Sequence, residues 1–263
     1  MNSVWEGVVP LTIKLANNDV ASPEKPPSYY LCIPRYSYIT MASSAIRKYF
    51  AEFVSPSVVN DEIWFDVGGI ALKWHYPIGV LYDTYGQFQL PWSVTVHFQG
   101  FPEEQILRCP DSDTIKSHFM NTLKEAIYLK YGDIKGINNL KIPEQNDLLS
   151  GFLNNERDKF WKVLNKLNEE EQIRNVPIRI IRPDQRFVTQ EPVPPKGNDG
   201  KDTTLGELLE RLVPDSVSRQ NNSLIIKNDV LIQGITPTLD MSLIWLSTNL
   251  ANTDNFLYII LPA

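Results

Sequence analysis

Residues 224–261 read LIIKNDVLIQGITPTLDMSLIWLSTNLANTDNFLYIIL, and the fold follows from this stretch. Residues 223–227 and 230–235 are short apolar runs on either side of Asn228 and Asp229. That dipeptide favours a tight turn, so the two runs read as paired strands. Asp240 stands as a helix cap before the apolar run 241–250. Residues 256–261 read as a closing strand.

Upstream, residues 176–182 and 187–193 read as two strands across Pro183 and Asp184. A polar loop follows at 194–202, and Thr203 or Thr204 can cap a helix over 205–212 that ends at Pro214. The segment thus runs strand, strand, helix, strand, strand, short helix, strand. The first hundred residues repeat much of that order. Val9, Leu11, Ile13 and Leu15 alternate with polar positions and Pro10, and a second strand covers 29–33. There Cys32 reads as a small buried hydrophobe. Residues 37–53 have helical spacing and stop at Ser55 and Pro56. Ile63, Phe65 and Val67 alternate before Gly68 and Gly69, a turn into a strand over 70–74. Trp92, Val94, Val96 and Phe98 form the clearest alternation in the chain.

Between the two patterns the period changes to that of a helix. Ser112 is a candidate cap for Ile115, Phe119, Leu123 and Ala126, and Gly132 is a stop. Pro143 opens a second helix with the apolar stripe Leu149, Phe152, Phe160, Val163, Leu164 and Leu167. Residues 224–261 resemble the second half of ubiquitin. The expected fold class is α+β: two ubiquitin-like β-grasp domains, residues 1–100 and 175–263, flanking a helix-rich domain at 101–174.

Composition narrows the function. Lys and Arg total 25 against 31 Asp and Glu, a net charge of −6, which disfavours nucleic-acid binding. No apolar run approaches the roughly 18–20 residues of a membrane span, and no signal peptide is expected. The two cysteines, Cys32 and Cys109, cannot build a disulfide framework, which fits a reducing cytosol. His75, His97 and His118 are widely spaced, without HExxH or CxxC, so no metal site is expected. No glycine-rich phosphate loop or GxSxG elbow occurs, and no cofactor is expected. A hydrolase pairing Cys32 or Cys109 with a histidine is one rival reading.

Several stretches then carry a specific resemblance. They are Glu62-Ile63-Trp64-Phe65, Leu72-Lys73-Trp74-His75-Tyr76-Pro77-Ile78-Gly79, Leu90-Pro91-Trp92, and Thr95-Val96-His97-Phe98. Cys109-Pro110, His118-Phe119-Met120, Leu123-Lys124-Glu125-Ala126, Arg157-Asp158-Lys159-Phe160-Trp161 and Asp254-Asn255-Phe256-Leu257 follow in order. From about Val4 to Leu261 the chain resembles the autophagy protein 5 family. That resemblance implies two ubiquitin-like domains around a helix-rich one. It also implies a non-catalytic subunit of an E3-like complex, joined through one lysine to the ubiquitin-like autophagy protein 12. The implied further partners are the N-terminal helix of autophagy protein 16 and the E2-like enzymes of autophagy proteins 12 and 8. The complex would promote conjugation of autophagy protein 8 to phosphatidylethanolamine, in the cytoplasm and peripherally at the preautophagosomal membrane. The family's acceptor lysine falls on Lys124.

An isopeptide forms when a neutral amine attacks a thioester, yet at pH 7 under about one in a thousand solvated lysines is neutral. No cation lies one helical turn from Lys124, so activation is expected from the E2-like enzyme. Lys124 stands about 100° around the helix from Leu123, at the edge of the apolar stripe, where a modifier could pack. Trp74, His75, Tyr76, Pro77 and Gly79 form an aromatic run that reads either as core or as the wall of a partner groove. The partner helix is expected in a groove that the modules build jointly. A ubiquitin-like interaction module without conjugation is the second rival.

Overall fold

The computed structural model describes the chain except residues 1, 25, 169–171, 184–187, 221–222, 227–228 and 263. It divides into two compact units, Trp5–His118 and a second made of Met1–Val4 with Phe119–Ala263.

The chain opens with a short helix, α1 (Asn2–Glu6), which the pattern reading did not anticipate. In the first unit the strands are β1 (Val8–Leu15), β2 (Tyr29–Pro34), β3 (Trp64–Val67), β4 (Ile70–Ala71) and β5 (Trp92–His97). They form one sheet in the order β2-β1-β5-β3-β4. β1 pairs antiparallel with β2 and parallel with β5, with Ile13 opposite Val94. A central parallel pair needs a long crossover, and α2 (Ser43–Phe50), entered through a 3-10 turn at Ile39–Ala42, lies within it. This is the expected β-grasp. The alternating residues of β1 and β5 are buried, with Phe65, Ile46 and Phe50, and each fully buried large side chain contributes about 1.5–3 kcal/mol.

Three readings change here. β4 ends at Ala71 rather than at residue 74; Leu72 N–H still donates to the Phe65 carbonyl at 2.8 Å, and then the chain leaves the sheet. It leaves to start α3 (Ile78–Tyr85), an unanticipated helix. Ile78, Gly79, Val80, Leu81, Asp83 and Thr84 are all buried, so no polar face announces α3. Cys32 is exposed, not buried. The next residue, Ile33, faces the core, and strand alternation turns Cys32 outward.

In the second unit, the helix α4 (Ser112–Tyr131) contributes its residues from Phe119 onward. It ends at Gly132, whose φ of +86° suits a left-handed C-cap. The helices α5 (Lys135–Asn138), α6 (Ile142–Leu153) and α7 (Arg157–Asn168) follow. Phe119 stacks on Phe152 at 4.1 Å, and Phe160 completes the cluster. The expected stripe from Leu149 to Leu167 is two helices, broken at Asn155 with φ +58°. On α6 it is Leu148, one turn before Phe152, rather than Leu149 that is fully buried.

β6 (Val176–Ile181) pairs antiparallel with β7 (Thr189–Val193) and parallel with β10 (Leu257–Ile260). Phe187, in the expected second strand, lies outside the described residues. α8 (Leu205–Leu212) is capped by Thr204, whose hydroxyl accepts from Glu207 N–H at 3.3 Å. β9 (Ser223–Ile226) pairs upstream with β8 (Val217–Gln220), not downstream across residues 228–229. Asn228 lies outside the described residues. Residues 230–235 give only a Leu231–Ile260 bridge and a tight turn at Ile232–Ile235. α9 (Leu243–Leu250) is capped by Ser242 rather than Asp240, because a bridge to Thr204 holds Ser242 extended. The core joins Val176, Ile178 and Ile180 to Leu205, Leu208, Leu246 and Ile259.

Gly151 sits where α6 meets α7, and a Cβ there would come within 2.7 Å of Phe160 N. Gly151→Ala should therefore cost about 1–3 kcal/mol of stability, read as a lower urea midpoint for the helical unit.

Candidate functional site

Lys124 lies on α4 and is half-buried. Leu123, Ala126 and Ile127 beside it are buried, while Met120 is half-buried and Tyr128 is 58% exposed. Among the described residues the Lys124 ammonium has no ion pair and no side-chain hydrogen bond. Glu125, next in sequence, is already engaged. It accepts from Arg179 Nη2 at 3.0 Å and from Gln190 Nε2 at 2.6 Å. Arg179 lies 3.7 Å over the Phe256 ring and donates to the Tyr258 hydroxyl at 3.0 Å. Tyr258 in turn donates to Asp254 at 2.7 Å. This network ties the turn that carries Lys124 to β6 and β10. The sequence reading missed it because its partners are 54 and 65 residues from Glu125.

Two other lysines of α4 differ sharply from Lys124. Lys116 pairs with Asp113 at 2.7 Å. Lys130 is buried and donates to Asn168 Oδ1 at 3.0 Å. Burial lowers its pKa to about 8. Near pH 7 about one Lys130 in ten is then neutral, far more than for a solvated lysine. Burial nevertheless keeps a bulky thioester away from that amine, whereas Lys124 is accessible.

The aromatic run Trp74 to Gly79 belongs to the first unit. Trp74, Pro77 and Gly79 are buried. The Trp74 indole N–H donates to the Leu107 carbonyl at 2.7 Å, and its ring meets His118 at 5.4 Å. His118 Nε2 donates to the His75 carbonyl at 2.9 Å. Pro77 is the N-cap of α3, and a Cβ on Gly79 would come within 2.9 Å of Arg35. Arg35 pairs with Asp83 at 2.5 Å, fastening α3 to the end of β2. Only His75 and Tyr76 of this run keep partly open side chains.

Cys109 does not resemble an activated nucleophile. Burial pushes its pKa up to about 11, and Glu62 and Asp111 push the same way. Reactive thiols need the opposite shift.

Two measurements check these environments. Lys130 has a folded-state pKa below its unfolded value, so between about pH 8 and pH 10.4 the unfolded chain binds more protons. Wild-type stability relative to Lys130→Met should rise across that window, by at most about 3 kcal/mol, in urea titrations. Iodoacetamide near neutral pH should label exposed Cys32 and spare Cys109 in the folded chain, read by peptide mass spectrometry. Fast labelling of Cys109 would revive the hydrolase reading.

Comparison with known proteins agrees with this architecture. Three family models match along the chain: the UblA domain of autophagy protein ATG5 at residues 4–98, its alpha-helical bundle region at 112–170 and its UblB domain at 175–261. Autophagy protein 5 of Drosophila melanogaster is 31% identical over 268 residues, covering 98% of this chain and 95% of the relative. Autophagy protein 5 of Dictyostelium discoideum is 29% identical, covering 98% and 93%. The crystal structure of Kluyveromyces marxianus Atg5 has the same fold, with a TM-score of 0.84 at 22% identity, covering 99% of this chain and 98% of that one. Ubiquitin-like domains on either side of a helical bundle, matched in order along the chain, make it a member of the autophagy protein 5 family.

Proposed function

We propose that the chain is a non-catalytic scaffold that carries the ubiquitin-like autophagy protein 12 on Lys124 through an isopeptide bond. The observation that carries this reading is the state of Lys124. It is accessible on an ordered helix, without an ionic partner among the described residues, beside the apolar and aromatic surface of Met120 and Tyr128. An arriving modifier can pack there while the E2-like enzyme supplies the base that takes up the proton of the attacking amine. The absence of an activated thiol at Cys109 supports a scaffold rather than an enzyme.

In this reading the scaffold also holds the N-terminal helix of autophagy protein 16, by insertion of an amphipathic helix into a groove. The assembly works as an E3-like factor that brings the E2-like enzyme of autophagy protein 8 to phosphatidylethanolamine. Its place is the cytoplasm and the preautophagosomal membrane, to which it attaches peripherally. No helix among the described residues is long and apolar enough to cross a membrane. His75 and Tyr76 are the members of the aromatic run that can still meet a partner.

Lys124→Arg keeps the charge but removes the usable amine, because a guanidinium stays protonated. A denaturing immunoblot of cells expressing Lys124→Arg should show only the unshifted species. A shifted band that survives in Lys124→Arg would move the attachment to another lysine. No shifted band in the wild type would leave an interaction module without conjugation.

A further inference from the structure

The second unit holds a pocket of about 250 Å³ whose chemistry the proposed conjugation does not use. Its lining includes Lys130 of α4, Trp161 and Asn168 of α7, Ser247 of α9, and Asn252 and Asn255 from the turn before β10. Lys130 is the one charged residue among those that line it.

The polar groups there divide unevenly. Asn168 and Asn255 bond to each other through their carboxamides, at 3.3 and 3.4 Å. Lys130 gives one of its three N–H groups to Asn168 Oδ1. The Asn252 oxygen accepts from Thr253 N–H at 2.9 Å. Its Nδ2 has no partner among the described residues, although Asn252 is only 2% exposed. The unspent capacity of Lys130 and Asn252 is therefore donor capacity. A buried donor without an acceptor is costly, and so is a buried cation without a carboxylate. Among the described residues both conditions meet at this one cavity, and a single anion would offset both.

We propose that this pocket is a binding site for a small oxyanion, a carboxylate or phosphate group that accepts from the Lys130 ammonium and the Asn252 carboxamide. Trp161 supplies an aromatic wall for the rest of such a ligand. The volume admits a small group and not a folded domain. Among the described residues, the Tyr131 hydroxyl donates to Asn168, Asp254 accepts from Tyr258 and from Phe256 N–H, and Arg174, whose backbone N–H donates to the Lys130 carbonyl, is the other cation beside the helix end. Lys130 is thus the group whose protonation the anion reads. Binding should favour the ammonium and weaken as pH rises past its titration near 8.

The test uses the full chain, with potassium phosphate and potassium acetate titrated separately and chloride holding ionic strength constant. Calorimetry should show one site for at least one of them, and which one distinguishes a phosphate ligand from a carboxylate. In the same samples the Lys130 titration midpoint, followed by NMR at its ε-methylene, should move up. Asn252→Asp retains the acceptor for Thr253 N–H and replaces the unpartnered donor with an acceptor. That variant, with its fold checked by circular dichroism, should bind at least about tenfold more weakly. The site is overturned if neither anion exceeds chloride, if the Lys130 midpoint stays fixed, or if folded Asn252→Asp binds as well as the wild type. Conjugation at Lys124 can succeed or fail independently of each of these outcomes.

Discussion

In each half of the chain the first and last strands of the β-grasp run parallel and side by side, β1 with β5 and β6 with β10. That pairing constrains everything between them. Parallel neighbours cannot be joined by a tight turn, so the intervening chain must cross over. α2 lies in the first crossover and α8 in the second, and each buries its apolar residues in its own unit. The hairpin partners β2 and β7 then occupy the outer side of β1 and β6.

The second unit adds a polar constraint to that apolar one. Arg179 stands on β6, and its guanidinium reaches Glu125 on α4, Gln190 on β7 and Tyr258 on β10. Burial would depress an arginine, but Tyr258, Asp254 and Glu125 hold it charged. Asp254 itself is buried, which raises its pKa, while Arg179 and two kinds of hydrogen bond oppose the rise. Breaking such a network at one member leaves buried polar groups unpaired, which costs more than the bond lost. The helix that carries Lys124 is held by this network and by Phe119, Leu123 and Ala126 beneath it. An ordered helix presents its accessible lysine in one orientation, which the proposed transfer to that residue would use.

The lysines of α4 illustrate how environment sorts identical side chains. Lys116 is paired on the surface, Lys124 has no ionic partner among the described residues, and Lys130 is buried with a depressed pKa. The depressed pKa and the accessible amine therefore fall on different residues. That division fits a chain in which an external enzyme performs the proton transfer. It also frees the buried amine for a different task.

The sequence by itself determined the two β-grasp patterns and the helical insert between them, and its likeness to the family singled out Lys124. The first two rest on short-range pattern, the alternation at Trp92–Phe98 and the change to helical period after Ser112; Lys124 rests on the resemblance carried by residues 123–126. It did not reveal α3, whose residues are buried on nearly every side and so have no period to read. It reversed the exposure of Cys32, and it paired β9 with the wrong neighbour, because an apolar run does not say which strand or face it meets. Tertiary structure alone decided that Trp74 is held by the Leu107 carbonyl, that Gly79 lets α3 approach Arg35, that Glu125 is committed to Arg179, and that Lys130 and Asn252 share a cavity. Those contacts join residues from about thirty to over a hundred positions apart. Local sequence carries no distance information at that range, and only the assembled sheets and the packed helices bring such residues together.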